Sequence, residues 1–382
     1  MPTRTFANPG AQAYTSTVPP TREPLDFHRR LPGYEPTRLV EAPGLAELLG
    51  VGEVWVKDES GRLGLPSFKI LGASWATFRA VAERLGGEPG EWGTIAELAE
   101  RLQELRPMSL SAATDGNHGR AVARMARLLG LGARIFVPEG TARARIEAIE
   151  SEGAPVTVVE GTYEDAVQAA AELAGEGYLL VQDTAVDGWD QTSRWVIEGY
   201  STIFWEIEER LAELGREAPD VVAVQIGVGA LAASVVRQFR QPAPSPRPRI
   251  VGVEPDRAAC VLASMEAGRI ITIPGPHDSA MAGLNCGTPS TVAWPEVSAG
   301  IDLFVAVEDE RAFEAVRRMA EAGLVSGETG AAGLAGLLEL VAGDEASASH
   351  MLNVSDKARV LLISTEGPTD PEAYRRIVGH QN

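Results

Sequence analysis

The sequence predicts an α/β protein built from two doubly wound, open-sheet lobes. The chain of 382 residues is too long for one small core and has the length of two ordinary lobes. Short β-branched runs alternate along it with longer amphipathic runs, as expected for parallel strands joined by right-handed helical crossovers. Most of the short runs are apolar at nearly every position, which is typical of parallel strands buried on both faces.

Hydrophobic periodicity places the individual elements. The predicted strands cover residues 54–57, 109–113, 134–137, 156–159, 178–181, 221–226, 250–253, 303–307 and 360–364, and examples of the helices between them are residues 70–85, 119–129, 142–150, 164–174, 194–211, 311–322 and 331–341. The segment before Phe27 is expected to be an irregular lead-in, residues 86–92 a loop and residues 241–249 a surface connection. Residues 106–187 are predicted to form a smaller α/β domain, and residues 1–105 together with 188–382 a larger one.

Composition narrows the class of partner. With 34 basic and 53 acidic residues, the formal net charge is −19, which repels phosphate backbones and anionic lipid. We therefore expect a small-molecule ligand, with no nucleic acid and no membrane as partner. The start of the chain has no apolar core of signal-peptide length, and no apolar stretch approaches the roughly 20 residues of a membrane span. A cytoplasmic location is expected.

Cysteine and histidine usage argues against a protein metal site. Two cysteines, Cys260 and Cys286, cannot form a disulfide framework or a four-thiolate zinc site. We expect two buried thiols, and a labile pair near a cleft is the alternative. The five histidines are scattered, without the spacing of a metal motif.

Lysine usage singles out one position. Only Lys57, Lys69 and Lys357 are lysine, so 34 − 3 = 31 of the basic residues are arginine. Lys69 lies near a predicted helix start, where the helix dipole disfavours a cation. Lysine, unlike arginine, can lose its proton when desolvated and form a Schiff base. Lys69 is therefore a candidate nucleophile, held as an uncharged amine, and a solvated surface lysine is the alternative.

A glycine-rich turn follows the predicted strand 221–226. Gly227-Val228-Gly229-Ala230-Leu231 leads into a helix, where backbone N–H groups and the helix dipole favour a phosphate. The segment lacks both the GK[ST] of a P-loop and the complete GxGxxG fingerprint, which counts against ATP and against a dinucleotide oxidoreductase. A glycine turn that merely permits tight packing is the alternative.

Polar motifs follow four further predicted elements. They are residues 114–119 (TDGNHG), 182–185 (QDTA), 326–331 (SGETGA) and 363–367 (ISTEG). Taken singly, Asp115 could be a helix N-cap, and Asp183 and Ser364 turn or cap residues. In open α/β sheets, however, the carboxyl ends of the strands form the ligand crevice. The motifs are therefore predicted to converge on one site.

The order of these motifs resembles the fold-type II (tryptophan synthase β-like) pyridoxal-phosphate enzymes, and most closely their diaminopropionate ammonia-lyase branch. Matching segments are FHRRLPGYEPTRL (27–39), VKDESGRLGLPSFKILGAS (56–74), ATDGNHGRAVA (113–123), VQDTA (181–185), GVGALA (227–232), VEPDRAAC (253–260), MAGLNCGTP (281–289), SGETGAAGL (326–334) and ISTEGPTD (363–370). TDGNHG and VQDTA are the most specific, because dehydratases and racemases usually carry SSGNHG. The resemblance implies two lobes with pyridoxal 5′-phosphate in the cleft between them, and a homodimer.

The resemblance also implies residue roles. The cofactor would be bound by Lys69 as a Schiff base, Phe68 beside it, Asn117 at the phenolic oxygen, Gly227, Val228, Gly229, Ala230 and Leu231 at the phosphate, Ser364 or Thr365 at the pyridine nitrogen, and Glu328. Lys69, Asp115 and Asp183 would be catalytic, and Thr114, Gly116 and His118 would bind the substrate.

The implied reaction is α,β-elimination of 2,3-diaminopropionate, as the D or the L enantiomer or both, to pyruvate and ammonia. Lys69 would act as base or proton donor on one face of the substrate and Asp115 on the other, while Asp183 would bind the β-ammonium or tune the site. A serine/threonine-type dehydratase or a β-replacement enzyme on the same fold is the alternative. Asp115 argues against it, because dehydratases usually have serine there. A non-catalytic amino-acid or cofactor binding protein is a further alternative.

Overall fold

A computed structural model describes residues 4–175, 177–186, 188–242, 247–342, 352 and 355–379. The chain divides into two compact units: the first comprises Met1–Pro20, Pro36–Gly61 and Ile203–Asn382, and the second Thr21–Glu35 and Arg62–Thr202. The second unit is wider than the predicted smaller domain of residues 106–187. The domain limits at residues 105 and 188 stay a prediction.

Eleven strands and fifteen α-helices are defined in the described part of the chain. The strands are β1 (Thr5–Ala7), β2 (Leu39–Glu41), β3 (Glu53–Asp58), β4 (Ser109–Ala113), β5 (Gly132–Pro138), β6 (Val156–Val159), β7 (Tyr178–Leu180), β8 (Val221–Gln225), β9 (Arg249–Pro255), β10 (Leu303–Val307) and β11 (Arg359–Ser364). The helices are α1 (Glu23–His28), α2 (Pro43–Leu49), α3 (Lys69–Arg84), α4 (Ile95–Arg101), α5 (Asn117–Leu129), α6 (Arg143–Glu150), α7 (Tyr163–Glu172), α8 (Asp190–Gly199), α9 (Ser201–Glu213), α10 (Ala230–Phe239), α11 (Cys260–Ala267), α12 (Trp294–Gly300), α13 (Asp309–Glu321), α14 (Glu328–Ala342) and α15 (Pro371–Gly379).

The first unit contains a seven-stranded sheet in the order β1-β10-β9-β8-β11-β3-β2. Its five central strands are parallel, and the two edge strands β1 and β2 run antiparallel to their neighbours. Helix α14 packs on the centre of this sheet, and Gly336 permits the close approach. A Cβ atom there would lie 2.3 Å from Cγ2 of Val253.

The second unit contains a four-stranded parallel sheet in the order β6-β5-β4-β7. These are the four strands predicted between residues 109 and 181, so their grouping in one sheet is confirmed. Helix α3 packs on α5 and α8 in the same unit. Phe27 stacks on Phe78 of α3 with ring centroids 4.8 Å apart, and Trp75 and Trp92 complete this aromatic cluster. The cluster fixes the helix that begins with Lys69.

Three local predictions are corrected. The segment before Phe27 is not wholly irregular, because it contains β1 and the start of α1. Strand β2 was not predicted at all. The helix predicted over residues 194–211 is two helices, α8 and α9, which meet at Tyr200. Gly199 lies there against α3, with its Cβ position 2.6 Å from the carbonyl oxygen of Leu71.

Two loop predictions have different outcomes. Residues 86–92 form a loop, as predicted. In the predicted connection at residues 241–249, residues 243–246 lie outside the described residues, and Arg249 already begins β9. No helix among the described residues is both long and apolar enough to cross a membrane.

Candidate active site

Lys69 is the first residue of α3 and makes a short ion pair. Its Nζ donates a hydrogen bond to Oδ2 of Asp183 at 2.6 Å. Asp183 lies three residues beyond the end of β7, in the VQDTA segment, 114 residues further along the chain than Lys69. The Asp183 side chain is 6% exposed, whereas that of Lys69 is 20% exposed, so solvent reaches the lysine more readily than the carboxylate.

This pairing changes the expected charge of Lys69. Burial alone lowers the pKa of Lys69, but the charge of Asp183, with smaller contributions from Tyr200 and Asp115, raises it above its ordinary value. Burial likewise raises the pKa of Asp183, yet the Lys69 ammonium outweighs it and lowers that pKa. The expectation of an uncharged amine is therefore wrong for the ligand-free protein: Lys69 is an ammonium held by a carboxylate.

Tyr163 holds the other oxygen of Asp183. Its hydroxyl donates to Oδ1 of Asp183 at 3.2 Å and accepts from Nε2 of Gln182 at 2.9 Å. The Gln182 side chain in turn accepts from the backbone N–H of Ala113 at 2.9 Å, which connects β4 to this segment. Tyr163 was missed in the sequence analysis because it opens α7 and belongs to none of the strand-end motifs.

The TDGNHG loop connects β4 to α5. Gly116 has φ +151°, a left-handed conformation that favours glycine, and its N–H donates to Oγ1 of Thr114 at 2.9 Å. Asn117 then begins the helix. The N-cap residue is Gly116, so the N-cap alternative for Asp115 is wrong. The Asp115 side chain is 34% exposed and has Oδ2 3.9 Å from Nη1 of Arg145.

His118 lies on the first turn of α5 and is 1% exposed. Its Nε2 is 2.8 Å from the carbonyl oxygen of Val181, and its Nδ1 is 4.0 Å from Oδ2 of Asp183. Burial and the Lys69 charge lower the pKa of His118, while Asp183 and Asp115 act in the opposite direction. The imidazole is therefore neutral at pH 7.

Tyr200 borders the same region. Its ring lies 4.6 Å from that of Phe68 between centroids, and its Cε1 is 2.6 Å from the Cβ position of Gly72 on α3. Burial raises the pKa of Tyr200, the Lys69 ammonium opposes this, and Asp183 adds to it. The phenol is therefore neutral, and its pKa depends on the charges of Lys69 and Asp183.

In the first unit, the glycine turn follows β8 as predicted. Gly229 has φ +105° and is the N-cap residue of α10, which begins at Ala230. A Cβ atom on Gly227 would lie 3.1 Å from the carbonyl oxygen of Gly283. The first-turn N–H groups of a helix have no intrahelical acceptor, so this turn offers an anion several donors.

Gln225 links the glycine turn to the last strand. Its Nε2 is 2.8 Å from Oγ1 of Thr365 and 3.0 Å from the carbonyl oxygen of Ile363. The hydroxyl of Ser364 donates to Oγ of Ser326 at 2.8 Å, two residues before Glu328 begins α14. Hydrogen bonds that the sequence did not indicate thus connect Thr365 to Gln225 and Ser364 to Ser326.

Cys260 and Cys286 are both buried, and neither is in a disulfide. Sγ of Cys286 lies 3.5 Å from the Cβ position of Gly227, next to the glycine turn. Within the described residues, no group of three or more histidine, cysteine or acidic side chains is arranged to hold a metal ion. His350 and His380 lie outside the described residues.

Comparisons with known proteins agree with this arrangement. Residues 30–365 match the family model described as pyridoxal-phosphate dependent enzyme. The diaminopropionate ammonia-lyase of Salmonella typhimurium is 36% identical over 367 residues, covering 93% of this chain and 91% of that protein. Among solved structures, Escherichia coli diaminopropionate ammonia-lyase in complex with D-serine has a TM-score of 0.90 and 32% identity, covering 98% of this chain and 96% of that chain.

A second structure of the Escherichia coli enzyme, in complex with an aminoacrylate-PLP azomethine reaction intermediate, has a TM-score of 0.88 and 33% identity, with 98% of this chain and 96% of that chain covered. The chain therefore belongs to the pyridoxal-phosphate dependent enzymes and, within them, to the diaminopropionate ammonia-lyases. The fold class and the cofactor implied by the sequence motifs are confirmed.

Proposed function

We propose that the protein catalyses α,β-elimination of ammonia from 2,3-diaminopropionate, in D or L form or both, giving pyruvate and two molecules of ammonia. The observation that carries this proposal is that two carboxylates act on one reactive lysine. Asp183 binds Lys69 at 2.6 Å, and Asp115 also raises the pKa of Lys69. Anionic groups suit a substrate that carries two ammonium groups, whereas serine and threonine carry one.

The residues present fit pyridoxal phosphate. A partly exposed lysine amine is available for the carbonyl carbon, and a glycine turn with first-turn N–H donors is available for the phosphate. We assign the carbonyl to Lys69 with Phe68 beside it, and the phosphate to residues 227–231. The remaining cofactor contacts are assigned to Asn117, Glu328, Ser364 and Thr365. When bound, pyridoxal phosphate supplies an electron sink for the carbanion at the substrate Cα.

We assign the removal of the Cα proton and the protonation of the leaving nitrogen to three side chains of this protein. Lys69, once released as a free amine, removes the Cα proton on one face, and Asp115 does so on the other. Asp183 faces the leaving nitrogen and keeps it protonated, as departure of ammonia requires. Thr114, Gly116 and His118 line the substrate end of the site.

The proposal is tested with a substrate panel and ammonia counting. Diaminopropionate plus water gives pyruvate and two ammonia, whereas serine gives pyruvate and one, so the product ratio identifies the leaving group. We expect turnover of diaminopropionate to exceed that of serine and threonine. Turnover of serine or threonine alone would establish the dehydratase alternative, and cofactor uptake without turnover would establish the binding protein.

The lysine assignment has its own test. Lys69→Ala is expected to abolish the visible absorption band of the cofactor–lysine linkage and to lower turnover by several orders of magnitude, as loss of a covalent catalytic group does. Lys357→Ala, at an exposed position, is the matched control. A Lys69→Ala protein that kept both the band and the turnover would refute the assignment.

We also propose that the protein is a cytoplasmic homodimer, as the family resemblance implies. Light scattering after gel filtration should give twice the chain mass of 40.5 kDa. Fractionation of the producing cells should recover the protein with the cytosolic enzymes.

A further inference from the structure

The protonation state of His118 is fixed by its neighbours. A carbonyl oxygen only accepts hydrogen bonds, so Nε2, at 2.8 Å from the carbonyl oxygen of Val181, carries the ring proton and donates it. Because the buried ring is neutral, Nδ1 has a free lone pair. Nδ1 is buried and has no hydrogen-bond partner among the described residues.

This lone pair faces an anion. Nδ1 of His118 lies 4.0 Å from Oδ2 of Asp183, so two hydrogen-bond acceptors lie close together. Buried acceptors are nearly always satisfied in folded proteins, so an unsatisfied one indicates a missing donor. A donor nitrogen at about 2.8–3.0 Å from each atom fits between acceptors at this spacing.

The structure itself identifies the kind of donor that fits. Oδ2 of Asp183 already accepts from the primary ammonium of Lys69 at 2.6 Å. An ammonium has three N–H donors, and a single carboxylate oxygen uses one of them. Asp115 adds a second negative charge nearby, since it raises the pKa of both Lys69 and His118. The acceptors and negative charges at this position therefore favour a primary ammonium.

We propose that Oδ2 of Asp183 and Nδ1 of His118 together form the binding site for the second ammonium of the substrate, which makes His118 a specificity-determining residue. The inference rests on the proposed elimination of diaminopropionate. In that reaction, the Cα–H proton goes to the base and its electron pair forms the Cα–Cβ double bond. The Cβ–N bond breaks with both electrons going to nitrogen, so an ammonium leaves as neutral ammonia, whereas an uncharged amine would first need a proton.

Two substitutions separate this role from a structural one. His118→Gln keeps an amide N–H near the position of Nε2 for the Val181 carbonyl and removes the Nδ1 acceptor. His118→Asn places an amide oxygen near the position of Nδ1 and removes the donor to Val181. In the holoenzyme, we expect His118→Gln to lower kcat/KM for diaminopropionate about tenfold or more, as loss of a hydrogen bond to a charged group does.

Serine is the matched substrate, because it has a hydroxyl where diaminopropionate has its second ammonium. The same His118→Gln change should lower kcat/KM for serine several-fold less than it lowers kcat/KM for diaminopropionate, and His118→Asn should retain most of the preference for diaminopropionate. An unchanged ratio of diaminopropionate to serine in His118→Gln, together with an unstable His118→Asn protein, would show that His118 only supports the loop.

An equilibrium measurement does not depend on turnover. 2,4-Diaminobutyrate and norvaline have nearly the same shape, and only the first carries a terminal ammonium. By calorimetry with the holoenzyme, the wild type should bind diaminobutyrate more tightly, and His118→Gln should reduce this difference about tenfold. Equal affinities in the wild type would overturn the inference. Failure of the proposed function is distinguishable, because the wild type would then not release ammonia from diaminopropionate.

Discussion

Two lysine–carboxylate pairs, one in each unit, have the same length and different surroundings. In the first unit, Nζ of Lys57 lies 2.6 Å from Oε2 of Glu206, and both side chains are 1% exposed. In the second unit, Nζ of Lys69 lies 2.6 Å from Oδ2 of Asp183, but the lysine is 20% exposed. Because the distances agree, the difference in role must come from the neighbouring groups.

The Lys57–Glu206 pair is enclosed by further hydrogen bonds. Nζ of Lys57 also donates to the carbonyl oxygen of Thr37 at 2.8 Å, and the N–H of Thr37 donates to Oε2 of Glu206 at 3.2 Å. Beside the Lys69–Asp183 pair, by contrast, the buried Nδ1 of His118 and Oη of Tyr200 have no hydrogen-bond partner within the part of the chain that the structure describes. A fully satisfied pair fixes the fold, whereas a pair with unsatisfied neighbours can exchange its partner for a ligand.

The largest expected effect is on the free energy of unfolding, which should fall more when the Lys57–Glu206 pair is broken than when the Lys69–Asp183 pair is broken. Lys57→Met leaves the Glu206 carboxylate buried beside an apolar group, and we expect a loss of about 3–5 kcal/mol in the free energy of unfolding. Lys69→Met should lose less, because water reaches its site and Tyr163 still donates to Asp183. Lys357→Met, at an exposed position, should change little. Urea denaturation of the three proteins measures this, and equal losses at positions 57 and 69 would remove the distinction.

The next effect concerns the second carboxylate near Lys69. Asp115→Asn keeps the size of the side chain and removes its charge and basicity. If Asp115 serves one face of the substrate and Lys69 the other, kcat for D-diaminopropionate should fall at least about tenfold more than kcat for the L enantiomer. Steady-state rates with the two pure enantiomers measure this difference. Equal losses would count against a division of the two faces.

The strands were predictable from the sequence because most are buried parallel strands. The buried strands Ser109–Ala113 and Leu303–Val307 have the predicted limits, since apolar runs bounded by polar turns mark both ends of a strand. The partly exposed edge strand Val156–Val159 also has the predicted limits. The edge strands β1 and β2 have three residues each and owe their form to antiparallel pairing with distant strands, which no local pattern reveals. The break at Tyr200 likewise depends on contact with α3.

The sequence motifs predicted which residues belong to the candidate site. They did not predict which of those residues contact each other. The scarcity of lysine found Lys69, the strand-end rule found Asp115 and Asp183, and the glycine at position 116 was found with its loop. The ion pair itself joins residues that are 114 positions apart, and its effect on the charge of Lys69 depends on burial as well as on distance. Tyr163 opens a helix with an ordinary capping box, so its sequence context gave no signal of a role beside Asp183.

A smaller effect is expected in the pH dependence of stability. Because Lys69 lowers the pKa of Asp183, the folded state binds fewer protons than the unfolded state in acid. The pair's contribution is therefore present above the ordinary aspartate pKa of about 4 and is lost as pH falls below it. Asp183→Asn should lower the unfolding free energy of the cofactor-free protein by roughly 1–2 kcal/mol at pH 7 and by less at pH 3. Urea titrations at both pH values measure this. A difference that does not change with pH would contradict the pairing.

The smallest expected effect is a gain in stability rather than a loss. It tests whether the groups beside the Lys69–Asp183 pair lack hydrogen-bond partners. The Tyr200 hydroxyl is buried without a partner among the described residues, so Tyr200→Phe removes an unsatisfied polar group and should stabilise the ligand-free protein by about 1 kcal/mol. Tyr163→Phe is the matched change in the same region and should destabilise, because its hydroxyl bonds both Asp183 and Gln182. Thermal melts of the two variants are sufficient, since about 1 kcal/mol moves the Tm by a few degrees. A loss of stability in Tyr200→Phe would mean that its hydroxyl is already satisfied, and the contrast between the two lysine pairs would then rest on His118 alone.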